Sequence, residues 1–360
     1  MPIILGIEST AHTFGIGVVK NGKILANARS IYTTEKGGII PTDAAKHHEQ
    51  KASRIYEQAL KESGIKENEI DAIAFSQGPG LAPCLLVGMK FAKEIGKKLN
   101  LPIVPVNHCV AHLEIGRITG TKDPVMLYAS GANTQIIAYA AGKYRIFGET
   151  LDIGVGNFID NFARYAGIGF PGGPKIQEMA EKGKIFVDIP YKVKGMDVAF
   201  SGILTNLKNK IEKISGNNKK RLSEINYKSG VDSYINNSDN QRASVSERAH
   251  TLNDLAYSVQ EVIFAMLVET SERALAHTGK KELLLGGGVG CNSRLQEMCR
   301  IMCKERGAKF FVPPNNLLTD NGSMIAYLGE IMFKAGIKEK PEQIDIKPRQ
   351  RTDDVEIKYK

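Results

Sequence analysis

His108 and His112 stand four residues apart in NHCVAHLEIGRI, a stretch that reads as helix. That spacing sets both imidazoles on one helix face, where they can share an ion. Taken alone, such a pair is more often an ordinary core or surface pair than a ligand pair. A zinc-protease HExxH site is excluded, because Cys109 occupies the position of its general-base glutamate. His108 and Cys109 are immediate neighbours, point to different faces and make no nucleophile–base pair. Beyond a loop holding Thr119, Gly120, Asp123 and Pro124, the run VMLY leads into Ser130-Gly131-Ala132-Asn133-Thr134 and a second strand, TQIIAYA. A turn of small residues lets backbone N–H groups come close to a phosphate. A candidate metal pair therefore stands directly before a candidate phosphate cradle. Asp320, just before the small and apolar run GSMIAYLGE, is either the N-cap of a helix or a third ligand. Asp160 lies mid-helix among apolar neighbours, where a carboxylate is either paired or functional.

These residues need a scaffold of some size, and 360 residues suffice for two domains. The composition is that of an ordinary globular protein. No apolar run reaches membrane-spanning length and MPIILGIEST lacks a signal-peptide pattern, so the chain reads as intracellular, cytoplasmic and without a membrane partner. Five cysteines without a CxxC pair fit a reducing compartment, with Cys299 and Cys303 read as buried structural thiols. The net charge of +9 favours a polyanionic partner.

The run IILGI, the turn Glu8–Thr13, GIGVV, the hairpin signal Asn21-Gly22 and KILANARS make one unit of strand, polar turn, strand, tight turn and strand. VMLY, Ser130–Thr134, QIIAYA, Ala141-Gly142 and KYRIFGET repeat that plan. Two copies predict an α/β protein of duplicated actin-like domains with a nucleotide cleft between them. Pro41-Thr42-Asp43 is expected to cap a helix that carries His47 and His48, whose adjacency argues against a shared role. The Gly/Pro loop after AIAFS reads as an anion site at a helix start. PGGP at 171–174 brings backbone close to a helix or a ligand. Leu255–His277 reads as an amphipathic helix. The glycine loop 286–290 repeats a strand-loop-helix approach but lacks the Lys-Ser/Thr of a P-loop. Ser215–His250, rich in Asn, Ser and Lys, reads as a surface insertion or flexible segment with no catalytic role.

The segments IESTAHTFGIGVV, SQGPGLAP, NHCVAHLEIGR, LYASGANTQ, TLDIGVGNFIDNFAR, PGGPKI, GMDVAFSGILT, GGGVGCNSRL and TDNGSMIA occur in the order seen in the universal tRNA threonylcarbamoyladenosine transferase family. The chain most resembles the archaeal branch that works within the KEOPS complex. The resemblance implies an actin-like (ASKHA, ribonuclease H-like) fold divided into subdomains 1–123 and 124–345, with C-terminal helices returning toward the first, and a tail at 346–360. It implies transfer of threonylcarbamoyl from threonylcarbamoyl-AMP to N6 of the adenosine 3′ to the anticodon. One iron(II) ion per chain, or zinc, would be held by His108, His112 and Asp320 with Tyr128 at or near it. Tyr128, Ala129, Ser130, Gly131, Ala132, Asp160, Gly173, Gln177 and Asn292 would line the nucleotide site. The implied partners are tRNA, a kinase-like KEOPS subunit and small accessory proteins. Ala132 replaces a usual glycine and Gln177 a usual glutamate, which implies altered nucleotide contact with the metal ligands kept. The alternative on this fold is an ATPase or kinase, which leaves the histidine pair unexplained.

Overall fold

A computed structural model describes residues 1–34, 38–228 and 251–360. The first unit forms strands β1 (Ile3–Glu8), β2 (Thr13–Lys20) and β3 (Lys23–Ile31). Asn21 and Gly22 both take positive φ, as a two-residue hairpin with the twist of its strands requires. After helix α1 (Pro41–Ser63) the chain adds β4 (Ala72–Gly78), helix α2 (Ala82–Leu99) and β5 (Ile103–Asn107). The sheet order is β3-β2-β1-β4-β5, antiparallel in its first three strands and parallel from β1 to β5.

Helix α3 (His108–Ile115) then leads to β6 (Val125–Ala129), β7 (Thr134–Ala140) and β8 (Lys143–Glu149). Helices α4 (Val155–Tyr165) and α5 (Gly173–Lys182), the small ribbon β9 (Val193–Lys194) and β10 (Asp197–Val198), and helices α6 (Ser201–Lys228) and α7 (Leu252–Thr278) follow. Strand β11 (Glu282–Gly286), helix α8 (Ser293–Glu305), strand β12 (Lys309–Phe311), the short helix α9 (Asn315–Leu318) and helix α10 (Gly322–Lys334) complete the order. The second sheet runs β12-β11-β6-β7-β8 and reproduces the first strand for strand, again antiparallel in its hairpin part and parallel from β6 to β12. The duplication read from the two strand-turn-strand units thus extends to the whole topology.

Helices α3 and α10 share one apolar core with strands of both sheets: Val110, Leu113 and Met324 pack with Ile4 and Ala74 of one sheet and Met126 and Leu284 of the other. Helix α10 crosses β1 and β2 at glycines, and a Cβ built on Gly6 would stand 2.2 Å from the Ala326 nitrogen. This backbone-to-backbone seat fixes the start of α10, where Asp320 lies.

Several sequence expectations are corrected. Helix α1 begins at Pro41 with Ile40 at its N-cap and no side-chain cap, so Thr42 and Asp43 fall inside the first turn. Helix α7 is buried on most of its circumference, Ser258, Gln260, Thr270 and Ser271 included, because it is a central helix and not an amphipathic surface one. In the Gly/Pro loop after β4, the Gly80 N–H donates to the Pro348 carbonyl and the Leu81 N–H to the Thr10 carbonyl. Those donors bind the chain itself and not an anion. Of the polar stretch 215–250, backbone through Lys228 continues α6, and 229–250 lies outside the described residues.

His47 and His48 do not diverge as their adjacency suggested: their Nδ1 atoms are 3.2 Å apart. His48 Nε2 lies 3.0 Å from the Ala11 carbonyl, which fixes it as an N–H donor, and His47 Nε2 lies 2.9 Å from the Ser30 hydroxyl. One neutral pattern satisfies every contact: Ser30 donates to His47, His47 Nδ1–H to His48, and His48 Nε2–H to Ala11. Burial pulls the His48 pKa down from 6.5 to about 4, against the upward pull of the Ala11 carbonyl. The neutral ring therefore stabilises the fold above pH 6.5, and that contribution drains away as pH falls from 6.5 toward 4. In urea titrations at stepped pH, the stability advantage of the wild type over His48→Gln, whose amide still donates to Ala11, is expected to shrink by roughly 3 kcal/mol across that window. A difference that stays level with pH would refute the neutral His48.

Candidate metal and nucleotide site

Strand β5 delivers the chain to Asn107, whose Oδ1 accepts from the Val110 N–H and so caps α3. From this buried helix His108 and His112 project side by side, ring centroids 4.7 Å apart. Asp320 meets them from the far end of the chain: its Oδ1 is 3.5 Å from His108 Nε2 and 3.2 Å from His112 Nε2. The ligand atoms of all three residues lie within 4.8 Å of one another. Ligands bound at about 2.0–2.2 Å to one tetrahedral ion stand roughly 3.3–3.6 Å apart, a spacing close to that of Asp320 from each histidine. Two imidazoles and one carboxylate suit iron(II) or zinc and leave positions open. Asp320 is not a cap. Asn321 fills that role for α10, its Oδ1 accepting from the Met324 N–H at 2.9 Å, and this leaves the Asp320 carboxylate to the histidines.

Glu8, which sequence reasoning left without a role, completes the cluster. It is fully buried at the end of β1, with Oε2 3.0 Å from His108 Nδ1. Its Oε1 accepts from the Thr10 N–H at 2.7 Å and from the Thr10 hydroxyl. A carboxylate on Nδ1 turns the Nε2 lone pair of a ligand histidine toward its ion. The signal was present in IILGIE, where an acidic residue closes an otherwise apolar strand. Burial lowers the His108 pKa, but Glu8 and Asp320 more than reverse this and raise it to about 9. Burial also pushes Asp320 upward, and the two histidines override it, so the carboxyl sits well below the ordinary range. Burial leaves His112 below its ordinary value despite its hydrogen bond to Asp320. Cys109 is buried and its thiol is pushed up to about 12, so it is no nucleophile.

Tyr128, near the end of β6 and fully buried, lies beside His112 with ring centroids 5.1 Å apart and the rings tilted by 41°. A cavity of about 1000 Å³ opens from this corner, lined by His108, Tyr128 and Asp320 together with Ser130, Gly131, Ala132, Asp160, Gly173, Gln177 and Asn292. Ala129 is the exception among the nucleotide-site candidates. It is buried within β6 beneath Gly287, whose positive φ lets its backbone lie against the Ala129 carbonyl. The Ser130–Asn133 turn is clamped by the start of α4, the Gly156 and Asn157 N–H groups donating to the Ser130 and Gly131 carbonyls. Asp160 Oδ1 accepts from the Gly172 N–H at 2.8 Å, tying α4 to the PGGP turn, and burial raises its pKa. In that turn the close neighbour is a helix: a Cβ on Gly172 would stand 2.4 Å from the Ala163 side chain. Gln177 Nε2 donates to the Ser293 hydroxyl across the cavity rim. The Asn292 amide is spent on structure, its Oδ1 capping α8 and its Nδ2 donating to Gln260.

A family profile for tRNA N6-adenosine threonylcarbamoyltransferase matches residues 23–327. The chain is 49% identical over 357 residues to a Thermococcus sibiricus protein of the same name, covering 99% of this chain and 100% of that one. The chain belongs to this family. It is accordingly a tRNA-modifying acyltransferase, and the alternative of an ATPase or kinase is not favoured. A Methanosarcina mazei relative, a probable bifunctional tRNA threonylcarbamoyladenosine biosynthesis protein, is 46% identical over 360 residues, which span 99% of this chain and 59% of that protein. The Thermococcus kodakarensis HypF structure superposes with a TM-score of 0.57 at 14% identity, covering 95% of this chain and 49% of that one, a likeness of fold alone. That fold is the actin-like α/β architecture with a cleft between duplicated halves, and the transferase cavity lies in the cleft. Among the described residues no helix is long and apolar enough to cross a membrane.

Proposed function

We propose that this transferase moves the threonylcarbamoyl group from threonylcarbamoyl-AMP to N6 of the adenosine 3′ to the anticodon (position 37) in tRNAs that read codons beginning with A. The observation that carries this reading is the convergence of His108, His112 and Asp320, of which His108 and Asp320 line the cavity that the Ser130–Ala132 turn also lines. His108, His112 and Asp320 would hold iron(II), or zinc, with Tyr128 beside them. The bound ion would supply Lewis acidity toward the donor's oxygens. The small-residue turn would take the phosphate on its backbone, while Asp160, Gly173, Gln177 and Asn292 would flank the nucleoside. Ala132, exposed on the cavity side, adds a methyl there that a glycine would lack.

In the reaction N6 forms a bond to the carbamoyl carbon, the bond from that carbon to the phosphate oxygen breaks, and N6 loses one proton. Because the N6 lone pair is delocalised into the ring, holding the two reactants in line supplies much of the rate. The cleft residues perform that holding, and Glu8 would keep His108 in its ligand orientation. Glu8→Gln, which retains shape and loses charge, is expected to weaken metal affinity about tenfold, as read by competition with a chelating dye.

We propose a division into 1–123, 124–345 and a tail at 346–360; the two five-stranded sheets and the packing of α10 with strands of the first support it. The word bifunctional in the name of the longer M. mazei relative supports an associated second activity; we propose that a kinase-like KEOPS subunit supplies it, with small accessory proteins, in the cytoplasm. The deciding experiment incubates the metal-loaded chain with threonylcarbamoyl-AMP and unmodified tRNA, with and without those partners, followed by nucleoside mass spectrometry. Modified adenosine is the expected product, and ATP consumption without it would overturn the reading.

A further inference from the structure

Helix α3 has eight residues, too few to hold its own orientation. The histidines occupy one face. Glu114 stands two residues beyond His112, about 200° further round the axis, on the reverse side. Tyr144 and Arg117 meet Glu114 there, and so does the segment 345–360, which crosses from one half of the molecule to the other. The segment is moored to the first half where the Lys347 N–H donates to the Gln77 carbonyl and the Pro348 carbonyl accepts from Gly80. It is moored to the second half by Arg351 on Glu149 and by the Thr352 hydroxyl on Gln135 Oε1, 3.2 Å away. It touches α3 and its cap at three polar points: Gln350 between the moorings, Thr352 within the second, and Lys360 beyond both. Gln350 Oε1 accepts from the Nδ2 of the cap residue Asn107 at 3.1 Å. The buried Thr352 hydroxyl meets the Cys109 thiol, one residue from a histidine. Lys360 Nζ lies 3.6 Å from the fully buried Glu114 carboxylate, which also accepts from Tyr144 and Arg117. Apolar side chains fill the gaps, with Ile357, Val355 and Tyr359 in the same core as Val110 and Leu113.

We infer that residues 350–360 are a positioning clamp for the metal site, setting the rotation and depth of α3 through Gln350, Thr352 and Lys360 so that His108 and His112 face Asp320. The inference rests on the metal reading of that trio. Polar contacts at both ends of the helix, Gln350 on the cap residue Asn107 and Lys360 on Glu114, distinguish a clamp from a tail that merely covers apolar surface. None of the three residues lines the cavity, so none reaches a substrate there directly.

The test compares the full-length wild type with Gln350→Leu, Thr352→Val and Lys360→Met, each of which keeps the side chain's bulk. Cobalt(II) is the probe, its d–d absorption reporting ligand geometry. The expected result is an altered cobalt spectrum, an affinity about tenfold weaker and faster deuterium exchange in α3 of the metal-free protein. Thr352→Ser, which restores the hydroxyl, is expected to recover all three readouts. Wild-type cobalt affinity and spectrum in the variants would overturn the clamp, even if their stability fell, because the segment would then serve the fold alone. Failure of the wild type itself to take up one equivalent of cobalt would instead bring down the metal reading, and the clamp with it.

Discussion

Asp320→Asn is expected to abolish threonylcarbamoyl transfer, by at least about a thousandfold, in a protein that still folds. The carboxylate lies between His108 and His112 and supplies the only oxygen of the trio. Without it two neutral imidazoles remain, a weak and geometrically open pair. The fold survives because Asp320 takes no part in holding α10. Asn321 caps that helix, with its Nδ2 donating to the Leu317 and Thr319 carbonyls. The neighbouring variant Asn321→Ala supplies the contrast: it should lose roughly 1–2 kcal/mol of stability while retaining all three ligands. The pair is measured by nucleoside mass spectrometry for transfer, elemental analysis for bound metal and urea unfolding for stability. Transfer by Asp320→Asn at the wild-type rate would remove the metal site from the mechanism.

How much of this was legible in the chain follows the range of each interaction. The histidine pair could be read because α-helical periodicity is local. The duplicated hairpins could be read because Asn21-Gly22 and Ala141-Gly142 announce their own turns, both residues of each pair taking positive φ. The turn that lines the cavity was readable from its small residues, whereas the burial of Ala129 beneath Gly287 depends on the pairing of β6 with β11. Local pattern could mark a residue such as Glu8 as unusual but could not name the partner it meets in a distant segment. Glu8 reaches His108 across 100 residues, and Thr352 reaches Gln135 across 217. The Gly/Pro loop at 78–80 resembled an anion site because glycine spacing records that something comes close and not what comes close; here the neighbours are Lys347 and Thr10. The cap reading of Asp320 was likewise removed only in space, where Asn321 and not Asp320 turns back to the helix.

Gly6→Ala is expected to be among the most damaging single-methyl additions in the molecule. Its Cβ would stand 2.2 Å from the Ala326 nitrogen and 2.4 Å from the Gly322 carbonyl oxygen. Both are backbone atoms of α10, so no side chain can rotate aside. Relief requires either prising α10 off β1 or displacing β1 between β2 and β4, to which Gly6 is paired at Gly17 and Ala74. Overpacking of a yielding core costs about 1–3 kcal/mol, and a seat made of two backbones should exceed that range. The damage should also reach the chemistry. Gly322 lies two residues after Asp320, so a helix lifted at this crossing carries the carboxylate away from the histidines, and metal affinity should fall along with stability. Gly22→Ala separates the two effects. That position has nothing within 4 Å, and its positive φ costs an added methyl only about 1–2 kcal/mol. It should lower the urea midpoint modestly and leave cobalt binding untouched. If Gly6→Ala unfolded at the wild-type midpoint and bound cobalt normally, the seating of α10 on β1 could not be what holds the two ends of the chain together at the site.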